Sequence, residues 1–184
     1  MKKMYLSAPL PFVGQKRMFA KEFMKVLEQY PDGTLFVDLF GGSGLLSHIT
    51  KSLKPHSTVI YNDFDNYRFR MKHIPQTNQL LADIREMVGK SVPRHKIIKG
   101  ELRERIFSRI EQEENTTGYV DFITLSSSIL FSMKYKLSVQ DMRKEALYNN
   151  IRKTSYPECT DYLEGLEIVS CDYKEVFNRY KDIP

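Results

Sequence analysis

Apolar residues first recur at helical spacing along this chain and then form short, nearly continuous runs. An amphipathic helix is predicted over residues 16–30. Its apolar face would consist of Phe19, Phe23, Val26, Leu27 and Tyr30. Residues 34–40 form an apolar run broken by one acid, which is typical of a strand buried on both faces of a parallel sheet.

A glycine turn follows this strand directly. After Gly41-Gly42-Ser43-Gly44 come Leu45, Ile49 and Leu53, which share one helical face. A second short strand is predicted over residues 57–61, ending at Asn62-Asp63. A strand, a glycine turn, a helix and a second strand in this order predict a βαβ unit, and therefore an α/β fold with a parallel sheet.

The pattern becomes mostly helical from about residue 66 to residue 165. Leu102, Ile106 and Ile110 mark one helix, and Ser138 with Asp141 resembles a capping box. A third strand is predicted over residues 166–171. We therefore expect a core interrupted by a helical insertion, with the first part of the core at 1–82, the insertion at 83–160 and the return to the core at 161–184.

Composition narrows the class of protein. The 184 residues carry a net charge of +5, which favours an anionic partner. The longest charge-free apolar stretch, 122–133, is too short and too polar to cross a bilayer, and no signal peptide is recognisable at the N-terminus. Cys159 and Cys171 form neither a metal-binding spacing nor a disulfide framework. We expect a cytoplasmic protein with no metal site.

The glycine turn and the acid after the second strand indicate a nucleoside-containing ligand. Asp63 follows Gly42 by 21 residues, a spacing that suits a carboxylate bound to ribose hydroxyls. A dinucleotide fingerprint would need Gly or Ala where Ser47 stands, and no Gly-Lys-Ser/Thr of a P-loop follows. S-adenosylmethionine remains as the candidate cofactor.

Four segments of the chain resemble the Dam-type adenine-specific DNA methyltransferases. They are 11–16 (PFVGQK), 37–44 (VDLFGGSG), 62–65 (NDFD) and 169–173 (VSCDY), in the order that this family uses. The resemblance implies a Rossmann-like S-adenosylmethionine-dependent methyltransferase core. It also implies that the helical insertion is a target-recognition domain.

The resemblance further implies which residues contact the cofactor. Lys16 would lie at the methionine end, Asp63 at the ribose, Asp172 at the adenine amine and Tyr173 over the adenine ring. The full set implied in this way is Phe12, Gly14, Lys16, Asp38, Phe40, Gly42, Gly44, Asp63, Asp172 and Tyr173.

One element of this family is missing. Its catalytic Asp-Pro-Pro-Tyr or Asn-Pro-Pro-Tyr motif occurs nowhere in the sequence, so no catalytic residue is assigned. The resemblance places the end of this chain just before that motif. Because the family pairs the missing strand with the 35–39 strand, we expect an exposed apolar edge. The chain is then expected to self-associate or to be completed by a further C-terminal segment.

Positive charge is concentrated in the helical insertion. Residues 90–109 carry a net charge of +5 and residues 134–153 one of +4, whereas residues 110–133 between them carry −4. Two basic clusters of this kind fit a module that contacts DNA phosphates. The DNA-binding candidates are Lys90, Arg94, Lys96, Lys99, Arg103, Lys134, Lys136, Arg143 and Lys144.

These observations favour methyl transfer from S-adenosylmethionine to the exocyclic amine of adenine in duplex DNA, with this chain inactive on its own. A non-catalytic DNA-binding protein with a degenerate cofactor fold is the alternative. A methyltransferase acting on RNA or on a small molecule is a third hypothesis, and the position of the insertion argues against it.

Overall fold

The computed structural model describes residues 3–14, 16–131 and 134–183. Gln15, from the first motif, and Ser132 and Met133, from the charge-free stretch, lie outside the described residues. The chain divides into two compact units. We call residues 1–71 with 158–184 the sheet unit and residues 72–157 the helical unit. The helical unit starts earlier along the chain than the expected insertion.

The elements follow one another in a mixed order. After a 3₁₀ turn at Lys16–Phe19 they are α1 (Ala20–Leu27), β1 (Phe36–Asp38), α2 (Leu45–Leu53), β2 (Val59–Asn62), α3 (Tyr67–Lys72), α4 (Ile74–Val88), β3 (Ile97–Ile98), α5 (Gly100–Thr117), α6 (Phe122–Ile129), α7 (Val139–Arg143), β4 (Leu147–Tyr148), β5 (Glu167–Val169) and α8 (Tyr173–Tyr180). The predicted βαβ unit is confirmed as β1, α2 and β2.

The sheet unit contains three parallel strands in the order β1-β2-β5. This confirms the predicted α/β fold with a parallel sheet. The central strand β2 is buried at all four positions, whereas the three residues of β1 are only half-buried. The prediction that the strand at residues 34–40, which is β1, is buried on both faces was therefore wrong. Among the described strands β1 pairs only with β2, so its other edge is open, as the missing-strand argument expected.

The helical unit packs α4 against α5 and α6, and α5 against α7. Its core includes Ile84 on α4, Phe107 on α5 and Met142 on α7, each with no more than 1% of its surface exposed. The predicted cap is confirmed, because the Ser138 hydroxyl accepts a hydrogen bond from the Asp141 amide at 3.2 Å. The sequence did not predict the two-stranded antiparallel ribbon of β3 and β4.

No helix within the described residues is both long enough and apolar enough to cross a membrane.

Candidate functional site

The sheet unit has a pocket at the carboxyl ends of its three strands. Its volume is about 310 Å³, within the range of small-molecule sites. The lining comes from the N-terminal segment, from the last residue of β2 and from the residues that follow β1, β2 and β5. These residues are Phe12, Val13, Gly14, Lys16, Leu39, Phe40, Gly41, Gly42, Asn62, Phe64, Asp65, Asp172 and Tyr173.

The glycine turn forms the floor of this pocket. A Cβ atom at Gly41 would lie 2.3 Å from the Tyr61 ring and 2.8 Å from the Asn62 carbonyl oxygen, so no side chain fits there. Gly42 has a φ of +52°, and its added Cβ would meet the Phe12 ring at 2.9 Å. The sequence thus brings backbone, without side chains, to the surface that a ligand would approach.

Asn62 ties the ends of the three strands together. Its side-chain amide nitrogen donates to the carbonyl oxygens of Leu39, at 3.1 Å, and Cys171, at 2.9 Å. Its side-chain oxygen accepts from the amide of Cys171 at 3.2 Å. Both neighbours of β2 are therefore fastened to one buried side chain, which holds the pocket rim in place.

The two acids that follow β2 have different surroundings. Asp63 is buried and accepts hydrogen bonds from the amides of Tyr67, at 2.5 Å, and Arg68, at 3.0 Å. Its carboxylate also lies 3.0 Å from the Tyr61 hydroxyl. Burial raises the pKa of Asp63, although these hydrogen bonds oppose the shift. Asp65 is exposed and lines the pocket. Asp63 therefore organises the start of α3, and Asp65 is the carboxylate in reach of a ligand.

Aromatic rings flank the pocket. The rings of Phe40 and Tyr173 lie 5.0 Å apart, and both are substantially exposed, at 63% and 41%. Phe64 is 65% exposed. Aromatic rings left open around a concave site offer apolar faces to a flat ligand.

Two polar side chains at the rim are held by the backbone. The Lys16 ammonium group donates to the Phe40 carbonyl oxygen at 2.8 Å. Asp172 caps α8 by accepting from the Lys174 amide at 2.8 Å. Both side chains therefore sit at fixed positions beside the pocket.

The structure brings seven of the ten predicted cofactor residues to this pocket. They are Phe12, Gly14, Lys16, Phe40, Gly42, Asp172 and Tyr173. Asp38, Gly44 and Asp63 are not among the lining residues. Gly44 is the N-cap of α2, with a φ of +70°. Asp38 accepts from the Ser47 hydroxyl at 2.7 Å and lines a separate cavity along β1.

Sequence reasoning gave no role to several lining residues, chief among them Asn62, Phe64 and Asp65. A signal for them existed, because they stand beside Asp63 in the segment that carries the resemblance. The rule that a carboxylate ahead of a helix often caps it applies to Asp63 and Asp65 alike, so it does not show which of the two faces the ligand.

Five of the predicted DNA-binding residues are held in ion pairs within the helical unit. The pairs are Arg103 with Glu104, Lys134 and Lys136 with Glu145, Arg143 with Glu104 and Glu111, and Lys144 with Asp141. The other four, Lys90, Arg94, Lys96 and Lys99, are exposed and form no ion pair within the described parts of the chain.

Comparison with known proteins gives one informative similarity. No sequence model of a known protein family matches this chain. A protein of Haemophilus influenzae strain Rd named "Putative methyltransferase" is 40% identical to this chain over an alignment 185 residues long, which covers 98% of the chain. The same alignment spans only 62% of that relative. Over nearly its whole length, the chain is thus homologous to part of a longer protein that bears the name of a methyltransferase.

Proposed function

We propose that this chain forms the cofactor-binding part of an S-adenosylmethionine-dependent methyltransferase that modifies the exocyclic amine of adenine in duplex DNA. The observation that carries the proposal is the pocket at the carboxyl ends of the parallel strands, where a glycine turn, two carboxylates and exposed aromatic rings meet. Homology to a protein with the name of a methyltransferase supports the methyl-transfer part of the proposal.

The residues of the pocket fit this cofactor. The floor at Gly41 and Gly42 would admit the ligand close to the backbone. The exposed faces of the contacting Phe40 and Tyr173 rings would pack against the adenine ring, with Asp172 in reach of its amine. Asp65, not Asp63, would accept from the ribose hydroxyls, since Asp63 is buried and its carboxylate already accepts from the amides of Tyr67 and Arg68.

Positioning would be the main task of these residues in the reaction. The bound cofactor supplies a methyl group on a sulfonium, a good leaving group, so the amine needs orientation more than a strong base. The chain lacks the Asp-Pro-Pro-Tyr motif that would hold the target amine in the family it resembles. We therefore expect cofactor binding without turnover by this chain alone.

Calorimetric titration with S-adenosylmethionine tests the proposal. Asp65→Asn should weaken binding by roughly tenfold or more, because a charge-assisted hydrogen bond contributes about 1.5–3 kcal/mol. Glu28→Gln serves as a matched control, since it removes one charge from an exposed position outside the pocket. A wild-type chain that does not bind S-adenosylmethionine would contradict the proposed cofactor site. An Asp65→Asn variant that binds it with normal affinity would contradict the role given to Asp65.

The substrate part of the proposal needs its own measurement. Competition between duplex DNA and RNA of the same sequence separates a DNA enzyme from one that acts on RNA. Transfer of labelled methyl groups to duplex DNA by this chain alone would contradict the expected lack of turnover. DNA binding without any cofactor binding would favour the non-catalytic alternative.

A further inference from the structure

The free positive charge of the helical unit is concentrated on the β3–β4 ribbon. We define the basic ribbon as residues 89–100 and 146–156, which contain β3 and β4. These two segments contain no Asp or Glu. Their six basic residues are Lys90, Arg94, Lys96, Lys99, Arg152 and Lys153.

Hydrogen bonds make the two segments one structural piece. Beyond the paired residues of β3 and β4, the His95 amide donates to the Asn149 carbonyl oxygen at 3.0 Å, and the Asn149 amide donates to that of Lys96 at 2.9 Å. The Asn149 side chain donates to the Val92 carbonyl oxygen at 2.7 Å. Arg94 donates to the Ile151 carbonyl oxygen. The basic side chains therefore project from a cross-linked ribbon.

The two faces of the ribbon differ. Ile98 and Leu147 form one cross-strand pair and are fully buried. The neighbouring pair, Ile97 and Tyr148, is partly exposed, and the Tyr148 ring contacts that of Phe131 at 5.7 Å. Phe131 is itself 59% exposed. The exposed surface of the basic ribbon thus includes apolar side chains as well as lysines.

The contrast with the ion-paired side of the helical unit identifies which cations are available. Lys134, Lys136, Arg143 and Lys144 have carboxylate partners, whereas Lys90, Lys96, Lys99 and Lys153 have none among the described residues. The carboxylate beside each paired lysine offsets part of that lysine's attraction for a phosphate. The unpaired lysines keep their full attraction.

We infer that the basic ribbon, and not the ion-paired face, is the surface of the helical unit that contacts the phosphates of duplex DNA. The inference rests on the proposed function in taking DNA as the partner. Ribbon geometry adds its own support, because the major groove of B-DNA, about 12 Å wide, admits a two-stranded ribbon. The deep, narrow major groove of duplex RNA excludes side chains.

The test compares two double variants with the same loss of charge. The affinity of each protein for a fluorescent duplex is measured by anisotropy at several salt concentrations, without cofactor. Lys96→Gln with Lys99→Gln should weaken binding roughly tenfold and lower the salt slope by about 1.8, or about 0.9 for each lost phosphate contact. Lys134→Gln with Lys144→Gln should change both quantities far less. Thermal unfolding of each variant verifies that it is folded.

Equal losses of DNA affinity in the two double variants would overturn the inference, because affinity would then depend only on the net charge of the protein. Duplex RNA bound as tightly as DNA, with the same dependence on Lys96 and Lys99, would overturn the choice of groove and partner. Calorimetric titration with S-adenosylmethionine separates this result from the proposed function. A ribbon-dependent affinity for DNA in a protein that binds no cofactor would support the ribbon and contradict the methyltransferase.

Discussion

Two cavities within the described residues of the sheet unit differ in kind. The pocket at the carboxyl ends of the strands is lined by carboxylates, an asparagine, a lysine, glycines and aromatic rings. The second cavity, which we call the side groove, has a volume of about 160 Å³ and runs along β1. Five of its eight lining residues are apolar, namely Phe23, Phe36, Val37, Leu46 and Val59, and the other three are Asp38, Ser47 and Thr50.

The difference shows what each cavity is suited to receive. Polar groups in the pocket are held in place by the backbone, as at Lys16 and Asp172, so the site is formed before a ligand arrives. The side groove instead runs along β1, which has no second partner among the described strands, and α1, which contributes Phe23 to the groove, also exposes 48% of Val26. Apolar surface beside unpaired backbone favours protein over a polar small molecule.

The largest expected effect comes from the pocket floor. Gly41→Val would force side-chain atoms into the Tyr61 ring and the Asn62 carbonyl group, where even a Cβ has no room. We expect the free energy of unfolding to fall by about 3 kcal/mol and cofactor binding to be lost. Urea denaturation and calorimetry measure the two effects. Gly41→Ala should show a smaller loss of the same kind, and a Gly41→Val variant of normal stability would contradict this packing.

An intermediate effect is expected in the side groove. Self-association through β1 would bury the groove, so Val37→Lys should raise the dimer dissociation constant severalfold by placing a charge at the apolar edge. Cofactor affinity should remain unchanged. Sedimentation velocity over a range of concentrations provides the measurement, and Gln29→Lys adds the same charge at an exposed position as a control. A wild-type chain that stays monomeric at high concentration would contradict the predicted self-association.

The smallest effect concerns pH. Because burial raises the pKa of Asp63 above its ordinary value of 3.8, the folded protein holds more protons than the unfolded chain between these two pKa values. Stability contributed by this group therefore falls as pH rises through that window. Asp63→Asn should flatten the dependence there, which urea denaturation at a series of pH values would reveal. An unchanged profile would mean that other groups control stability in this range.

Local structure was predictable from the sequence where it depends only on residues that are close along the chain. The glycine turn, α2 and the Ser138 cap follow from patterns only a few residues long. The edge position of β1 was predicted only from the missing catalytic motif. The apolar run taken alone predicted a strand buried on both faces, whereas β1 is half-buried. Burial depends on how many neighbours a strand has, which no local pattern records.

Long-range pairings escaped prediction for the same reason. Arg143 meets Glu104 across 39 residues of sequence. Ile97 pairs with Tyr148 in strands of two residues each, too short for a periodic signal. Charge counting therefore identified basic segments without showing which cations are already neutralised. The two acids after β2 posed a related problem, because spacing alone does not separate a capping acid from one that faces a pocket.

Asn62 also influences the order in which parts of the sheet unfold. Three of its hydrogen bonds reach the ends of the two flanking strands, so fraying of either end would leave a buried amide group of Asn62 without a partner. Opening the carboxyl end is therefore a cooperative event that involves all three strands. Local unfolding should begin at the opposite, amino end of the sheet, and the rim of the pocket should be among the last parts to lose its order.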